Sequence, residues 1–365
     1  MNESEIILLF KTYFFEWKQF SPLQKTLENY ISQTKALNTD TEDEEFDKFQ
    51  SKLVKETICS NIIREYPPCL NSTVSFIKRL ILVLEEYDIE GHSSFYDYIS
   101  PLSNSSTEPA KYHYKSYFDN YGKHLVSLVE KRELICDGTT GLRTWQAGKF
   151  LSNWLLENSQ HFPKQKEFTI LELGSGVGFT GISLSKDVRC ASSRMILTDH
   201  HSKVLRTLYQ NVKANLFDRT ETSRNEVENN ELVDQVDFPV EFTSNTGKLK
   251  RIIIDILDWE TFSQDENGQR FACDMIIGAD IVYDTSVIPH LVNVLVKFLK
   301  HLGTEKVILA NCVRNEDTDD LFMKTLEQSN ISFTKENYTV EDGSPLNLYI
   351  MQKFKAQEIQ HNSAN

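Results

Sequence analysis

Four apolar runs in this 365-residue chain each lead into residues able to bind a ligand or handle a proton. The first, Thr169-Ile-Leu-Glu172-Leu173, carries a carboxylate and then breaks into Gly174-Ser175-Gly176-Val177-Gly178. Closely spaced glycines let a backbone turn sharply against a ligand. Gly174, Gly176 and Gly178 are therefore expected to cradle one, with Glu172 ordering the turn or facing a ligand amine. Asp199 ends the second run, 25 positions after Gly174, where a carboxylate can accept both hydroxyls of a ribose. Its alternative role is the cap of the next helix. Asp258-Trp259 ends the third run, an indole face for a purine beside an acid for its amine. Ala279-Asp280-Ile-Val-Tyr283 ends the fourth. A carboxylate and a phenol there can orient an incoming amine, the alternative being a cap and a packed ring. Trp145, closing the Gly/Thr-rich turn Gly138-Thr-Thr-Gly-Leu-Arg-Thr-Trp145, precedes a helix and by itself reads as a core anchor.

The glycine loop fits two cofactors. Gly176-Val-Gly178-Phe-Thr-Gly181 matches the dinucleotide pattern G-x-G-x-x-G. The overlapping frame Glu172-x-Gly174-x-Gly176-x-Gly178 resembles the first motif of S-adenosylmethionine methyltransferases. The loop alone does not separate them. A dehydrogenase would leave Asp258-Trp259 and Asp280-x-x-Tyr283 without a role, and a non-catalytic scaffold would leave the intact acids unexplained.

These residues need a parallel sheet to bring them together. Strands are expected at Phe168–Leu173, Met195–Thr198, Arg251–Leu257, Asp274–Gly278, Val307–Ala310, Ile331–Phe333 and Leu348–Gln352, the last two as a hairpin-like end. Ala147, Leu151, Trp154 and Leu155 mark a helix, as do Val204, Leu208, Val212 and Leu216, and Val287 to Phe298. The fold class is α/β: a Rossmann-like sheet of seven strands with helices on both faces, plus a smaller, mostly helical N-terminal domain. Within that domain Ile77, Leu80, Ile81 and Leu84 form one stripe, and Glu56 to Arg64 reads as another helix, ended by Pro67-Pro68. Thr39 to Asp47 reads as a solvated loop or helix start, Ser100 to Pro109 as a linker, and His124 to Cys136 as part of a ribbon. Phe217 to Pro239 is polar and acidic, an insertion. The expected domains are 1–110 (helical), 111–137 (linker and ribbon), 138–355 (catalytic) and 356–365 (flexible tail).

The net charge of −14 and pI near 5.2 argue against a general nucleic-acid or anionic-membrane binder. No run of about 18 apolar residues is present, and Met-Asn-Glu-Ser-Glu is too acidic for a signal peptide. Six cysteines (59, 69, 136, 190, 273 and 312) without a C-x-x-C pair read as free thiols. Histidine spacing gives no metal site, and adjacent His200-His201 cannot readily face one ion. The expectation is a cytoplasmic protein, monomeric and metal-free.

Taken together, Gly138-Thr-Thr-Gly141-Leu-x-Thr-Trp145, Leu-Glu-Leu-Gly-Ser-Gly, Asp199 with its following helix, Leu257-Asp258-Trp259 and Ala279-Asp280-x-x-Tyr283 resemble the seven-β-strand protein-lysine methyltransferases of family 16. Val313-Arg314-Asn315 and Tyr66-Pro67-Pro68 add to the likeness, which covers the chain from about residue 55 onward. The resemblance implies S-adenosylmethionine as cofactor and a lysine of a protein, translation elongation factor 2, as acceptor. It places Trp145 along the methionine portion of the cofactor, Gly174, Ser175 and Gly176 around it, Asp199 on the ribose, Trp259 on the adenine and Ala279 beneath the adenosyl group. Asp280 and Tyr283 would bound the lysine channel. Cys312 departs from the small hydroxyl residue expected after the fifth strand. The N-terminal helical region would recognise or orient the substrate.

Overall fold

The computed structural model describes residues 1–36, 42–100, 113–131, 139–165, 167–190, 193–217, 236–244, 250–262 and 268–352. They fall into two compact units, one over residues 1–132 and the other over 133–217 with 233–365.

The first unit holds helices α1 (Glu3–Phe15), α2 (Ser21–Ala36), α3 (Glu42–Glu56), α4 (Asn61–Glu65), α5 (Leu70–Glu85) and α6 (Ser93–Ile99). Asn2 and Glu5 open α1 with a reciprocal capping box. Phe10 meets Phe20, Phe49 and Phe76 edge-on, and the expected α5 stripe is buried in the same core. The helix expected over Glu56 to Arg64 is in fact broken. α3 stops at Glu56, and the Ser60 side chain accepts the Ile62 amide to start α4. Strands β1 (His113–Phe118) and β2 (His124–Glu130) pair antiparallel. The 100–109 linker lies outside the described residues except for Ser100, as do the end of the expected ribbon, the tail, and most of the acidic insertion.

The second unit is built on an eight-stranded sheet. Its strands are β3 (Thr169–Leu173), β4 (Arg194–Asp199), β5 (Val240–Ser244), β6 (Lys250–Ile256), β7 (Met275–Ala279), β8 (Lys306–Cys312), β9 (Phe333–Thr339) and β10 (Pro345–Gln352). The order is β5-β6-β4-β3-β7-β8-β10-β9. Six of the expected strands stand close to their expected bounds, the one expected at Ile331–Phe333 starts only at Phe333 and runs to Thr339, and β5 is an addition, antiparallel to β6 at the edge. Val240-Glu-Phe-Thr-Ser has only two apolar residues and abuts the acidic stretch, so its pattern gives little strand signal.

The five inner strands, β6-β4-β3-β7-β8, are all parallel. Parallel strands are covered on both faces and so read as continuous apolar runs, which is why these were legible. Their carboxyl ends (Leu257-Asp258, Asp199, Gly174, Asp280, Cys312) lie at one edge. Chain order runs outward from β3 in both directions, so the crevice there is a topological switch point. Helices α7 (Gln146–Glu157), α8 (Phe179–Lys186), α9 (Ser202–Leu216), α10 (Trp259–Phe262), α11 (Ile288–His301) and α12 (Glu316–Gln328) complete the unit. α11 has Pro289 in its first turn and buries Leu291, Val292, Val294, Leu295, Phe298 and Leu299, each worth about 1.5–3 kcal/mol on burial. Among the described residues no helix is long and apolar enough to cross a membrane, and no group of metal-binding side chains forms.

Candidate active site

A cavity of about 350 Å³ opens at the carboxyl edge of the parallel strands, and every one of the twelve expected site residues except Gly178 lines it. Gly178 instead serves as the N-cap of α8, with φ +93°. A Cβ there would come within 2.4 Å of Leu208 Cδ1, so any other residue at this left-handed position would be strained and would push the leucine aside. Gly174 is also left-handed, at φ +60°. A Cβ on Gly174 would stand 2.8 Å from Ile281 Cγ2, so the turn passes close beneath the β7 loop.

Ser175 is committed to the scaffold. Its hydroxyl accepts the Thr198 amide at 3.0 Å, and its own amide donates to the Thr198 carbonyl at 2.7 Å. These bonds lock the glycine loop to β4. Glu172 is fully enclosed, and burial pushes its carboxyl up to about 7 against the pull of the Ser175 and Thr180 hydroxyls. Among the described residues, one of its oxygens, Oε2, has no hydrogen-bond partner. Asp199 receives the Gly176 amide at 3.3 Å and the His201 amide at 3.1 Å. It thus orders both the loop and the start of α9, where His201 is the N-cap residue. Burial raises its pKa, and the His200 imidazole opposes the shift. Asp258 accepts the Glu260 amide at 2.9 Å and so caps α10 while lining the cavity. Trp259 stands beside Gly174, giving the crevice a flat apolar wall.

Asp280 is buried and left-handed at φ +53°, an unusual geometry for a residue with a side chain. Such outliers persist where surrounding contacts over-determine them. Here Oδ1 accepts the Cys312 amide at 2.9 Å, while Oδ2 accepts the Ala147 amide at 3.4 Å and lies 3.4 Å from the Arg314 guanidinium. One carboxylate therefore ties the ends of β7 and β8 to the N-terminus of α7, where the helix dipole favours it. Burial raises its pKa, with Arg314 and the two amides opposing. Tyr283 is 53% exposed at the cavity mouth, and burial of its inner part, with the charges of Asp199 and Asp284, raises its pKa.

One residue that shapes the site, Asn311, was not singled out by spacing. Asn311 Oδ1 accepts the amides of Ile281 and Val282, both at 3.0 Å, and shapes the turn that carries Asp280 and Tyr283. Its sequence signal was a polar residue interrupting the apolar run of β8. Cys312 contributes its backbone, and burial pushes its thiol up to about 12. Trp145 is the N-cap residue of α7 and donates from its indole to the Thr140 carbonyl at 3.1 Å. Two guanidinium groups lie on its ring, Arg143 at 5.1 Å and Arg314 at 4.6 Å from the centroid.

The cavity suits S-adenosylmethionine. Its volume lies in the range of small-molecule sites. It sets an indole wall and a ribose-type acid around a glycine turn, and its carboxylates complement a sulfonium and an amine.

Comparison with known proteins agrees with this geometry. The family described as lysine methyltransferase matches residues 130–246 and 227–329. The chain is similar to protein-lysine N-methyltransferase EEF2KMT of Bos taurus, with 30% identity over 77% of this chain and 76% of the relative. The human protein of the same name is 29% identical over 78% and 77%. Protein-lysine N-methyltransferase EFM3 of Saccharomyces cerevisiae is 26% identical over 81% of each chain.

Proposed function

The chain belongs to the lysine methyltransferase family, and on that premise we propose that its protein substrate is translation elongation factor 2. It is an S-adenosylmethionine-dependent protein-lysine N-methyltransferase. The reading of the acceptor is supported by the reach of the similarity to relatives named EEF2KMT, 77% of this chain. The span 138–355 cannot hold that much, so the likeness extends into the N-terminal helical unit. That unit is the part we assign to substrate recognition or orientation. In the same reading the enzyme is cytoplasmic and monomeric, and its acidity of −14 keeps it from nucleic acid and anionic membranes.

The observation that carries the chemistry is the charge of the cavity. Glu172, Asp199, Asp258, Glu260, Asp280 and Asp284 all line it, and both the sulfonium of the cofactor and the ammonium of a lysine are cations. The cofactor, when bound, supplies an electrophilic methyl group on sulfur. The residues of this chain bind, orient and dehydrate. Asp199 takes the ribose hydroxyls, with Trp259 and Asp258 at the adenine and Ala279 beneath the adenosyl group. Gly174, Ser175, Gly176 and Gly178 shape the cradle, Glu172 faces the amine, and Trp145 flanks the methionine chain. A lysine ammonium, with a pKa near 10.4 in water, must give up its proton before its nitrogen can attack. Asp280 and Tyr283 hold that nitrogen at the channel end, where exact placement counts for most in a displacement at carbon.

The test is transfer from radiolabelled cofactor to purified elongation factor 2 and to a lysate lacking this enzyme. A single labelled band at the mass of elongation factor 2, with the label on lysine, is expected. Label on another protein would discard the substrate assignment and keep the reaction.

A further inference from the structure

The acid-rich cavity leaves one group of the cofactor without an obvious partner. S-adenosylmethionine carries a sulfonium and an ammonium, which six lining carboxylates suit, but also an α-carboxylate, which they would repel. Among the described residues that line the cavity, Arg143 is the only lysine or arginine. The neighbouring Arg314 is already engaged, its guanidinium 3.4 Å from Asp280 Oδ2. Among the described residues, Arg143 has no such engagement. Its Nε is buried without a hydrogen-bond partner, and its guanidinium carbon rests 5.1 Å from the Trp145 ring centroid. A planar cation resting on an indole at the cavity wall, with no ion pair among the described residues, suits a carboxylate, the anion whose two oxygens match its fork.

We infer that Arg143 binds the α-carboxylate of the cofactor and makes this enzyme selective for carboxylate-bearing adenosyl sulfonium ligands. The inference rests on the cofactor assignment made above. Three features combine in it: the bias of the lining toward negative charge, the commitment of Arg314 to Asp280, and the place of Arg143 as the one guanidinium on the cavity lining. The competing anchor is the amide cluster where the glycine turn enters α8, since helix N-termini also take anions.

Titration calorimetry with S-adenosylmethionine and its decarboxylated form separates the two. The second ligand keeps the adenosyl group, sulfonium and amine and lacks only the carboxylate. The full-length protein is expected to prefer S-adenosylmethionine. Arg143→Gln, checked for an unchanged thermal melt, should weaken S-adenosylmethionine by about tenfold to a hundredfold, the scale of a charge-assisted bond. The decarboxylated ligand should move by less than about twofold, because it never used the arginine. Arg143→Lys should recover part of the preference. A preference that survives Arg143→Gln would place the carboxylate on the α8 amides and overturn the assignment. Equal weakening of both ligands would overturn it too, by reducing Arg143 to a support for Trp145. If the unaltered protein bound neither ligand, the cofactor reading itself would fall.

Discussion

Asp280 shows why a substitution at this site must be chosen from the geometry. Its carboxylate joins three elements from a left-handed backbone, so an alanine would remove chemistry and architecture together. Asparagine tolerates that backbone region and keeps an oxygen acceptor. Asp280→Asn is expected to lower methyl transfer by about a hundredfold or more, on the scale of a positioning group, with cofactor affinity in calorimetry nearly unchanged. Collapse of cofactor binding in the folded variant would remove Asp280 from the acceptor side. Glu172 gives a prediction in pH. Its folded carboxyl sits at about 7, above its ordinary 4.5. Between those values the folded protein keeps a proton that the unfolded chain has released. Its contribution therefore falls as pH rises from 4.5 to 7 and stays low beyond. Glu172→Gln should gain up to about 3 kcal/mol in urea melts at pH 8 and nothing at pH 4. An equal gain at both pH values would contradict the shift. At this scale the acids could be read from sequence because each follows an apolar run. Arg143 and Asn311 could not, since their roles depend on what lies across the fold from them.

The elements were legible in proportion to their burial. The five parallel strands announce themselves as apolar runs, and α11 by its stripe. By contrast, β5, an edge strand, carries too few apolar residues to register, and the break between α3 and α4 turns on a single serine cap. Boundaries fixed by one hydrogen bond leave almost no periodic trace. The junction of β3 and α8 is the element whose failure would be most local. A Cβ at Gly178 meets Leu208 at 2.4 Å and Ile182 at 2.9 Å, from a backbone at φ +93°. Gly178→Ala should therefore cost about 2–4 kcal/mol in denaturant unfolding, combining backbone strain with overpacking. A loss below about 0.5 kcal/mol, the level of ordinary surface changes, would show that the turn relaxes.

Among the described residues, one hydrophobic cluster joins phenylalanine-rich helices of the first unit and another packs on the parallel sheet of the second. Because each unit buries its own core, the segment 133–365 is expected to fold alone and to bind S-adenosylmethionine by calorimetry with unchanged affinity. It should transfer no label to elongation factor 2 if recognition resides in residues 1–132. Full transfer by that segment would refute the role given to the helices. The sheet itself closes late. Strand β10, Pro345–Gln352, inserts between β8 and β9 and hydrogen-bonds to both along its length. During translation, then, β8 waits with an open edge until Pro345–Gln352 has been made, and the strand end at Cys312 is unsupported until then. A stop codon at position 345 would spare every residue of the catalytic crevice and still leave the cell without the enzyme.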